Sequence, residues 1–376
     1  MRGEKVPALN VMIKPASGLC NMRCTYCFYT DEVNHRKMGN LGIMSPETLE
    51  NVIRKSLEFA EGVCTFAFQG GEPTLAGLAY FERAVELEKK YNRHSVVIQN
   101  ALQTNGYLLD EEWCRFLGEN HFLVGLSIDG IRCTHDSCRK DKQGEGTFSK
   151  VFFSAQMLKD HKVDFNVLTV VNKKTAPRIH RIYQQYQKWG FSFQQYIACL
   201  DALDSSAQKE AYGLEPELYG QFLIELFELW YADYQKGAQP YIRQFENYIG
   251  ILMGGYPDAC EQNGVCGLQN VVEADGSVYP CDFYVLDGYS IGNLNEDSFG
   301  EIYEKRAASG FVERSQNQSG QCKDCRYYSV CRGGCRRNRV EEAGGAVNCF
   351  CRSYQMFFDR CYDRLCLIAE QLSHRY

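Results

Sequence analysis

No apolar run in this 376-residue chain approaches the roughly twenty residues that a membrane-spanning helix needs. The longest apolar stretch, Phe222–Tyr234, is interrupted by Glu225, Glu228 and Asp233, the pattern of an amphipathic helix. No signal peptide is read at Met1–Asn10, which carries charges and no apolar core. A basic surplus is missing too. Lys plus Arg number 41 against 47 Asp plus Glu, a net charge of −6, which argues against a general nucleic-acid binder. Low-complexity tracts are absent, as are internal repeats other than an alternation of strand-like and helix-like segments. What remains is a globular, cytoplasmic chain, 45% hydrophobic and 23% charged, long enough for two domains.

Against these absences stand nineteen cysteines. Disulfides are disfavoured in a reducing cytosol, so clustered cysteines there bind metal or react. Three of them form Cys20-Asn-Met-Arg-Cys24-Thr-Tyr-Cys27, a C-x3-C-x2-C run just after an apolar segment. Three thiolates are one short of the four that close an iron–sulfur cluster. One iron is then left with an open position, and open positions are where metals bind substrates. Plain structural cysteines or part of a zinc knuckle are the alternatives for such a run taken alone. Clusters with open sites oxidise readily, so an anaerobic host is expected.

Through the first two-thirds of the chain, apolar and β-branched runs predict strands at Ala8–Pro15, Val63–Phe68, Ser95–Gln103, Phe122–Ile128, Val163–Val171 and Phe191–Ile197. Helical patterns fall between them, one opening at Ser45-Pro46-Glu47 and others over Ala79–Tyr91, Glu111–Glu119, Phe148–Lys159 and Arg178–Lys188. The fold class is therefore α/β, a parallel sheet curling toward a barrel, with chemistry at the C-terminal strand ends. Asp201–Glu210 reads as a polar loop, Glu215–Lys236 as a long amphipathic helix, and the composition changes near Gly254–Asp258. The expected domains are 1–237 and 238–376.

The cysteine triplet, with aromatic Tyr26 before its third cysteine and Gln69-Gly70-Gly71-Glu72-Pro73 after the second strand, resembles the radical S-adenosylmethionine (SAM) enzymes. The resemblance implies a partial (β/α)6 barrel and a 4Fe–4S cluster on Cys20, Cys24 and Cys27, whose free iron chelates SAM. It implies that the Gly-Gly-Glu-Pro segment, Gly71 with it, meets the amino group of SAM. It makes Ser127 a polar contact, Arg139 a partner for the SAM carboxylate, and Leu200 an apolar wall for the adenine. Reduction of SAM then yields methionine and a 5′-deoxyadenosyl radical that takes a hydrogen atom from substrate.

The last third carries a second pattern: Cys266-x9-Gly276-x4-Cys281, then Cys322-x2-Cys325-x5-Cys331-x3-Cys335, then Cys351. It resembles the SPASM domain, a loop-rich auxiliary-cluster module, although paired cysteines also build zinc ribbons. With Cys260 there are eight thiols, enough for two four-cysteine clusters. The resemblance assigns Cys260, Cys266, Cys281 and Cys335 to the first, and Cys322, Cys325, Cys331 and Cys351 to the second, with Cys349 as the alternative last ligand. Three 4Fe–4S clusters result. Arg332, Arg336, Arg337 and Arg339 surround the last cysteines, placed either to offset cluster charge or as a solvated basic face. The other cysteines read mostly as small apolar residues.

From about Leu9 to Tyr376 the chain resembles the anaerobic sulfatase-maturating enzymes, in words such as Ile13-Lys-Pro-Ala-Ser17, Phe66-Ala-Phe-Gln-Gly-Gly-Glu-Pro-Thr-Leu-Ala-Gly77, Leu102-Gln-Thr-Asn-Gly106 and Asp275-Gly-Ser-Val-Tyr-Pro-Cys-Asp-Phe-Tyr-Val-Leu286. That likeness implies oxidation of a cysteine or serine, in a Cys/Ser-x-Pro-x-Arg motif of an unfolded sulfatase, to Cα-formylglycine. Asp282 matches the general base of that family; a turn-capping aspartate is the plainer reading. Tyr29, Gln69, Gln103 and Asn105, at strand ends, are expected to hold the substrate backbone. The implied partners are the sulfatase polypeptide and external electron carriers of flavodoxin or ferredoxin type, with no nucleic acid and no membrane. The rival is a SPASM peptide maturase that forms thioether or other crosslinks. Many of those carry an extra N-terminal recognition domain, and only nineteen residues precede Cys20 here.

Overall fold

The computed structural model describes residues 6–203, 212–342 and 344–374. Most of the expected loop Asp201–Glu210 lies outside the described residues. Strands and helices alternate through the first half: β1 (Val6–Ile13), α1 (Phe28–Asn34), α2 (Pro46–Phe59), β2 (Ala60–Phe68), α3 (Leu78–Tyr91), β3 (Val97–Thr104), α4 (Glu111–Glu119), β4 (Leu123–Ser127), α5 (Arg132–Cys138), α6 (Phe148–Asp160), β5 (Phe165–Val171), α7 (Ile179–Trp189) and β6 (Phe193–Ala198). Then come α8 (Pro216–Tyr234), β7 (Tyr241–Ile242), α9 (Arg243–Leu252), β8 (Asn270–Val272), β9 (Val278–Tyr279), α10 (Phe299–Ser309) and α11 (Cys351–Ser373). All six expected strands form, with ends shifted by a few residues.

Local chemistry sets the helix boundaries. Ser45 caps α2 by accepting the Thr48 N–H at 3.1 Å, and Pro46 occupies the first turn, where its missing N–H costs nothing. Leu49, Val52, Ile53 and Leu57 then fall on one buried face. Asp110 caps α4 through the Trp113 N–H at 3.0 Å. Gly190 stops α7 in the left-handed conformation. Among the described residues no helix is long and apolar enough to cross a membrane.

The chain divides into two compact units. The first comprises the described residues up to Ile128 with His135–Asn166 and Leu268–Gly310; the second comprises Asp129–Thr134, Val167–Gly267 and Phe311 onward. In the first, the sheet runs β4-β3-β2-β1-β8-β9, parallel throughout except for the antiparallel β8–β9 pair. Register aligns the C-terminal ends: Ile13 pairs with both Phe68 and Val272, and Phe68 pairs with Leu102. The next residue on three adjacent strands is therefore Lys14, Gln69 and Glu273. β8 is only three residues long, too short to carry a periodic signal, and its place beside β1 was not legible in the sequence.

In the second unit β5, β6 and β7 are parallel neighbours, and α8 packs along α11. Phe227, Phe245 and Phe357 are fully buried against one another, each contributing about 2–3 kcal/mol. A Cβ on Gly220 of α8 would stand 2.9 Å from Met356 Sδ and 3.1 Å from Ser353 Cα on α11, so glycine permits the close crossing. Arg364 forks onto Glu228 with two 2.7 Å bonds across the same pair.

Candidate active site and cysteine pockets

In the first unit the loop after β1 carries Cys20, Cys24 and Cys27, all part-exposed. Its position is fixed by backbone bonds from Glu72 N–H to Leu19 O (2.7 Å), Arg23 N–H to Lys140 O (2.7 Å) and Thr25 N–H to Cys138 O (3.0 Å). Gly71 lies flat on this loop; a Cβ there would sit 2.1 Å from Leu19 O. The sequence reading assigned Gly71 to ligand contact, and the contact present is with the cysteine loop itself. Fully buried Glu72 ties the strand ends together, accepting Thr104 Oγ1–H at 2.7 Å, Asn105 N–H at 2.8 Å and both donors of Thr74. Burial pushes its carboxyl up, and those donors oppose the shift. Asn105 continues the chain of bonds to Asn21 Oδ1 (2.8 Å) and Cys20 Sγ (3.7 Å). Burial pushes the Cys20 thiol up to about 11, so binding metal there releases a proton.

Tyr26 and Arg139 meet at this loop, the buried guanidinium 5.5 Å from the ring centre. Ser127, at the end of β4, accepts a 3.1 Å bond from Gln103 Nε2. Leu200 follows β6 in the second unit and is half-buried.

A second group in the same unit centres on Asp282. The Phe28 and Phe283 rings meet edge to face at 5.0 Å, setting α1 against the short turn Asp282–Tyr284. Tyr29 O–H then donates to Asp282 Oδ2 at 2.6 Å, and Gln69 Nε2 donates to the same oxygen at 2.9 Å and to the Tyr29 oxygen at 2.7 Å. Oδ1 is buried without a hydrogen-bond partner among the described residues. Burial pushes the Asp282 carboxyl up, and the Lys14 charge with the Tyr29 bond pulls it back. The Tyr29 hydroxyl is raised well above its ordinary range by burial and by Asp282, and so stays a donor. Tyr29 and Gln69, read from sequence as holders of substrate backbone, are hydrogen-bonded to Asp282 and to each other. Gln103 and Asn105 likewise bond within the protein.

In the second unit Cys322, Cys325, Cys331 and Cys351 line one pocket with Tyr327, Tyr354 and Phe358; Cys349 is exposed and is not among its lining residues. Among the described residues no three His, Cys, Asp or Glu side chains are grouped as a single metal ion requires. Four thiols around a shared pocket are the donor set that a four-cysteine iron–sulfur cluster takes. Burial pushes Cys331 up to about 12 and Cys335 up to about 12, and Cys335 also feels the nearby Cys260 and Cys266. Cys281 lies in the first unit, next to Asp282. Of the thiols read as packing residues, Cys64, Cys114 and Cys361 are buried, and burial raises all three.

Arg339 emerges among the four arginines. Its guanidinium donates to four backbone carbonyls, those of Gly264, Ser315, Gly333 and Gly334. These flank Cys266 and precede Cys335, so one side chain clamps several cysteine-bearing loops. Arg336 and Arg337 instead bond the Phe311 and Asp201 carbonyls. Lysine has one ammonium and cannot span four carbonyls. Arg339→Lys is expected to lower the iron bound per chain and to cost about 3 kcal/mol or more, two charge-assisted bonds being lost at about 1.5–3 kcal/mol each. Iron assay and denaturant unfolding check this; unchanged values would show that the loops stand without the clamp.

Comparison with known proteins places this geometry. Residues 15–185 match the radical SAM superfamily and residues 265–326 match an iron–sulfur cluster-binding (SPASM) domain. A cysteine-type anaerobic sulfatase-maturating enzyme of Clostridium perfringens (strain 13 / Type A) is 44% identical over 369 residues, covering 98% of this chain and 100% of that one. Another, from Clostridium novyi (strain NT), is 42% identical over 370 residues, covering 98% and 99%. The solved structure of native anSMEcpe with bound AdoMet and a Cp18Cys peptide superposes with a TM-score of 0.92 at 44% identity, covering 97% and 100%. The two domains imply 4Fe–4S clusters and SAM as cofactors. A pocket with four cysteines, a three-cysteine loop held by a Gly-Gly-Glu-Pro turn, and likeness across nearly the whole chain agree: this protein belongs to the radical SAM anaerobic sulfatase-maturating enzymes.

Proposed function

We propose that this enzyme oxidises the Cβ of a cysteine or serine, in a Cys/Ser-x-Pro-x-Arg segment of an unfolded sulfatase, to Cα-formylglycine. Three 4Fe–4S clusters serve it, one binding SAM and two auxiliary, with carriers of flavodoxin or ferredoxin type outside. The cysteine-type names of its relatives favour cysteine as the target. SAM at a reduced cluster supplies, when bound, the one-electron oxidising power that removes a hydrogen atom from the substrate Cβ.

The chain's own residues deal with the second hydrogen. For a carbon–sulfur double bond to form, the thiol must lose its proton, and one electron must pass to an external acceptor. Water then replaces sulfur, releasing hydrogen sulfide and leaving the aldehyde. Asp282 is the acceptor for the thiol proton. Tyr29 and Gln69 occupy Oδ2 and fix the carboxylate plane, leaving Oδ1 to face the thiol. Burial of the carboxylate keeps competing water away.

The observation that carries this reading is that buried carboxylate, hydrogen-bonded twice on one oxygen and unpartnered among the described residues on the other, in the same compact unit as the three-cysteine loop. Its test is anaerobic. The protein is reconstituted with iron and sulfide, then given SAM, reductant and a Cys-x-Pro-x-Arg peptide. The expected product is an aldehyde peptide, seen by mass spectrometry. SAM cleavage with a crosslinked peptide and no aldehyde would replace this reading with the thioether-forming one.

A further inference from the structure

Lys14 is a cation in a place where cations are costly. It follows β1 directly, and its side chain is 3% exposed. Room for it is made by Gly70, whose φ of +98° favours glycine and whose Cβ would sit 2.8–3.0 Å from the Lys14 stem. The ammonium lies 3.4 Å from Glu273 and 3.9 Å from Glu32. It also stands 4.8 Å from the centre of the Tyr29 ring. Glu273 is fully buried and held from two further sides, by Arg36 at 2.7 Å and by the Ala274 N–H at 3.0 Å.

The two carboxylates differ in kind. Burial opposes ionisation of Glu273, yet Lys14 and Arg36 outweigh it and hold its carboxyl below the ordinary range. Glu32 has the longer contact with Lys14, and burial outweighs that charge and pushes its carboxyl up to about 9. Glu273 is therefore the anchor. The strand register that sets Lys14, Gln69 and Glu273 side by side connects this ion pair to the Asp282 donors.

We propose that Lys14 is a positioning residue for the oxidation. Pinned by Glu273 and pressed on the Tyr29 ring, its ammonium holds the Tyr29 hydroxyl where it fixes Asp282, so that the open oxygen meets the substrate thiol. The inference rests on the reading of Asp282 given above. Lys14 acts through Tyr29, whose ring its ammonium faces at 4.8 Å. Removing the ammonium frees the ring, and misplacement of about 1 Å at a reacting group costs about a hundredfold.

The test uses full-length, reconstituted Lys14→Met, an apolar replacement of similar length. Expected are wild-type SAM cleavage and wild-type affinity for a fluorescent Cys-x-Pro-x-Arg peptide, each within about twofold, with aldehyde formed per SAM cleaved reduced about tenfold or more. Tyr29→Phe should uncouple similarly, and the double variant should lose little beyond either single one, because Lys14 works through that hydroxyl. If Lys14→Met folds poorly, Glu273→Gln removes the anchor and keeps the lysine; it should uncouple likewise. Wild-type coupling in whichever of these variants folds, or fully additive losses in the double variant, would overturn the inference. A wild-type enzyme that makes no aldehyde would instead sink the proposed function.

Discussion

Asp282→Asn is expected to lower aldehyde formation by about 10²–10⁴-fold while SAM cleavage continues, the range that loss of a general base produces. The substitution is close to isosteric. The asparagine oxygen can still accept from Tyr29 and Gln69, which now meet at Oδ2 at 2.6 and 2.9 Å. Its amide nitrogen then stands where Oδ1 stood, so an acceptor facing the thiol becomes a donor. Geometry is kept and basicity is removed. No buried carboxylate remains at this position, so folding stability should not fall. Two products are measured on the same sample, formylglycine peptide by mass spectrometry and 5′-deoxyadenosine by chromatography. Their ratio collapses if Asp282 takes the proton. Full aldehyde yield from the variant would remove Asp282 from the chemistry and return it to the plainer reading of a turn residue.

Much of this was legible in the sequence, and the rest failed for identifiable reasons. β1, β2 and β5 bury alternate apolar residues and announce themselves by period; β3 and β6 bury only Leu102 and Tyr196 among their apolar residues, and were read from β-branched and aromatic content. The radical SAM and SPASM domains were read from the spacing of their cysteines and from the family likeness that the spacing carries. α11 was missed, yet its buried Phe357, Phe358, Cys361, Leu365 and Ile368 recur at helical spacing; counting cysteine as apolar would have found it. α1 was missed because its seven residues, starting just after Cys27, hold no amphipathic stripe. The roles of Lys14, Glu72 and Glu273 were hidden for a different reason. Each is a charged residue just past a strand end, where the sequence permits a solvated side chain. Only register shows that three strand ends meet and that their charges must then pair or be capped. For the same reason the bonds of Tyr29 and Gln69 to Asp282 could not be read, since that partner lies more than two hundred residues away.

Gly71→Ala is expected to abolish SAM cleavage, lowering it by more than about a hundredfold, with the fold intact. The added methyl would meet Leu19 O at 2.1 Å, Leu19 C at 2.8 Å and Gly18 C at 3.0 Å. These are backbone atoms, which no rotamer change moves aside. The Glu72 N–H to Leu19 O bond ties the same two segments at 2.7 Å, so the clash and the bond cannot both be kept. Overpacking of this kind costs about 1–3 kcal/mol, which a large α/β unit can absorb. The cysteine loop cannot absorb it without moving, because Cys20 follows Leu19 directly and Asn105 holds it from the other side. On the proposed assignment three thiols converge on one cluster, and a displaced Cys20 leaves two. Iron bound at the N-terminal site should fall with the cleavage rate, while far-UV circular dichroism stays as in the wild type. Gly250→Ala is the matched control: that glycine lies within α9, nothing stands within 4 Å of its added Cβ, and alanine favours the helix by about 1 kcal/mol. If Gly71→Ala retained iron and cleavage as Gly250→Ala should, the close contact would be packing without consequence, and the loop would owe its position to the three thiols alone.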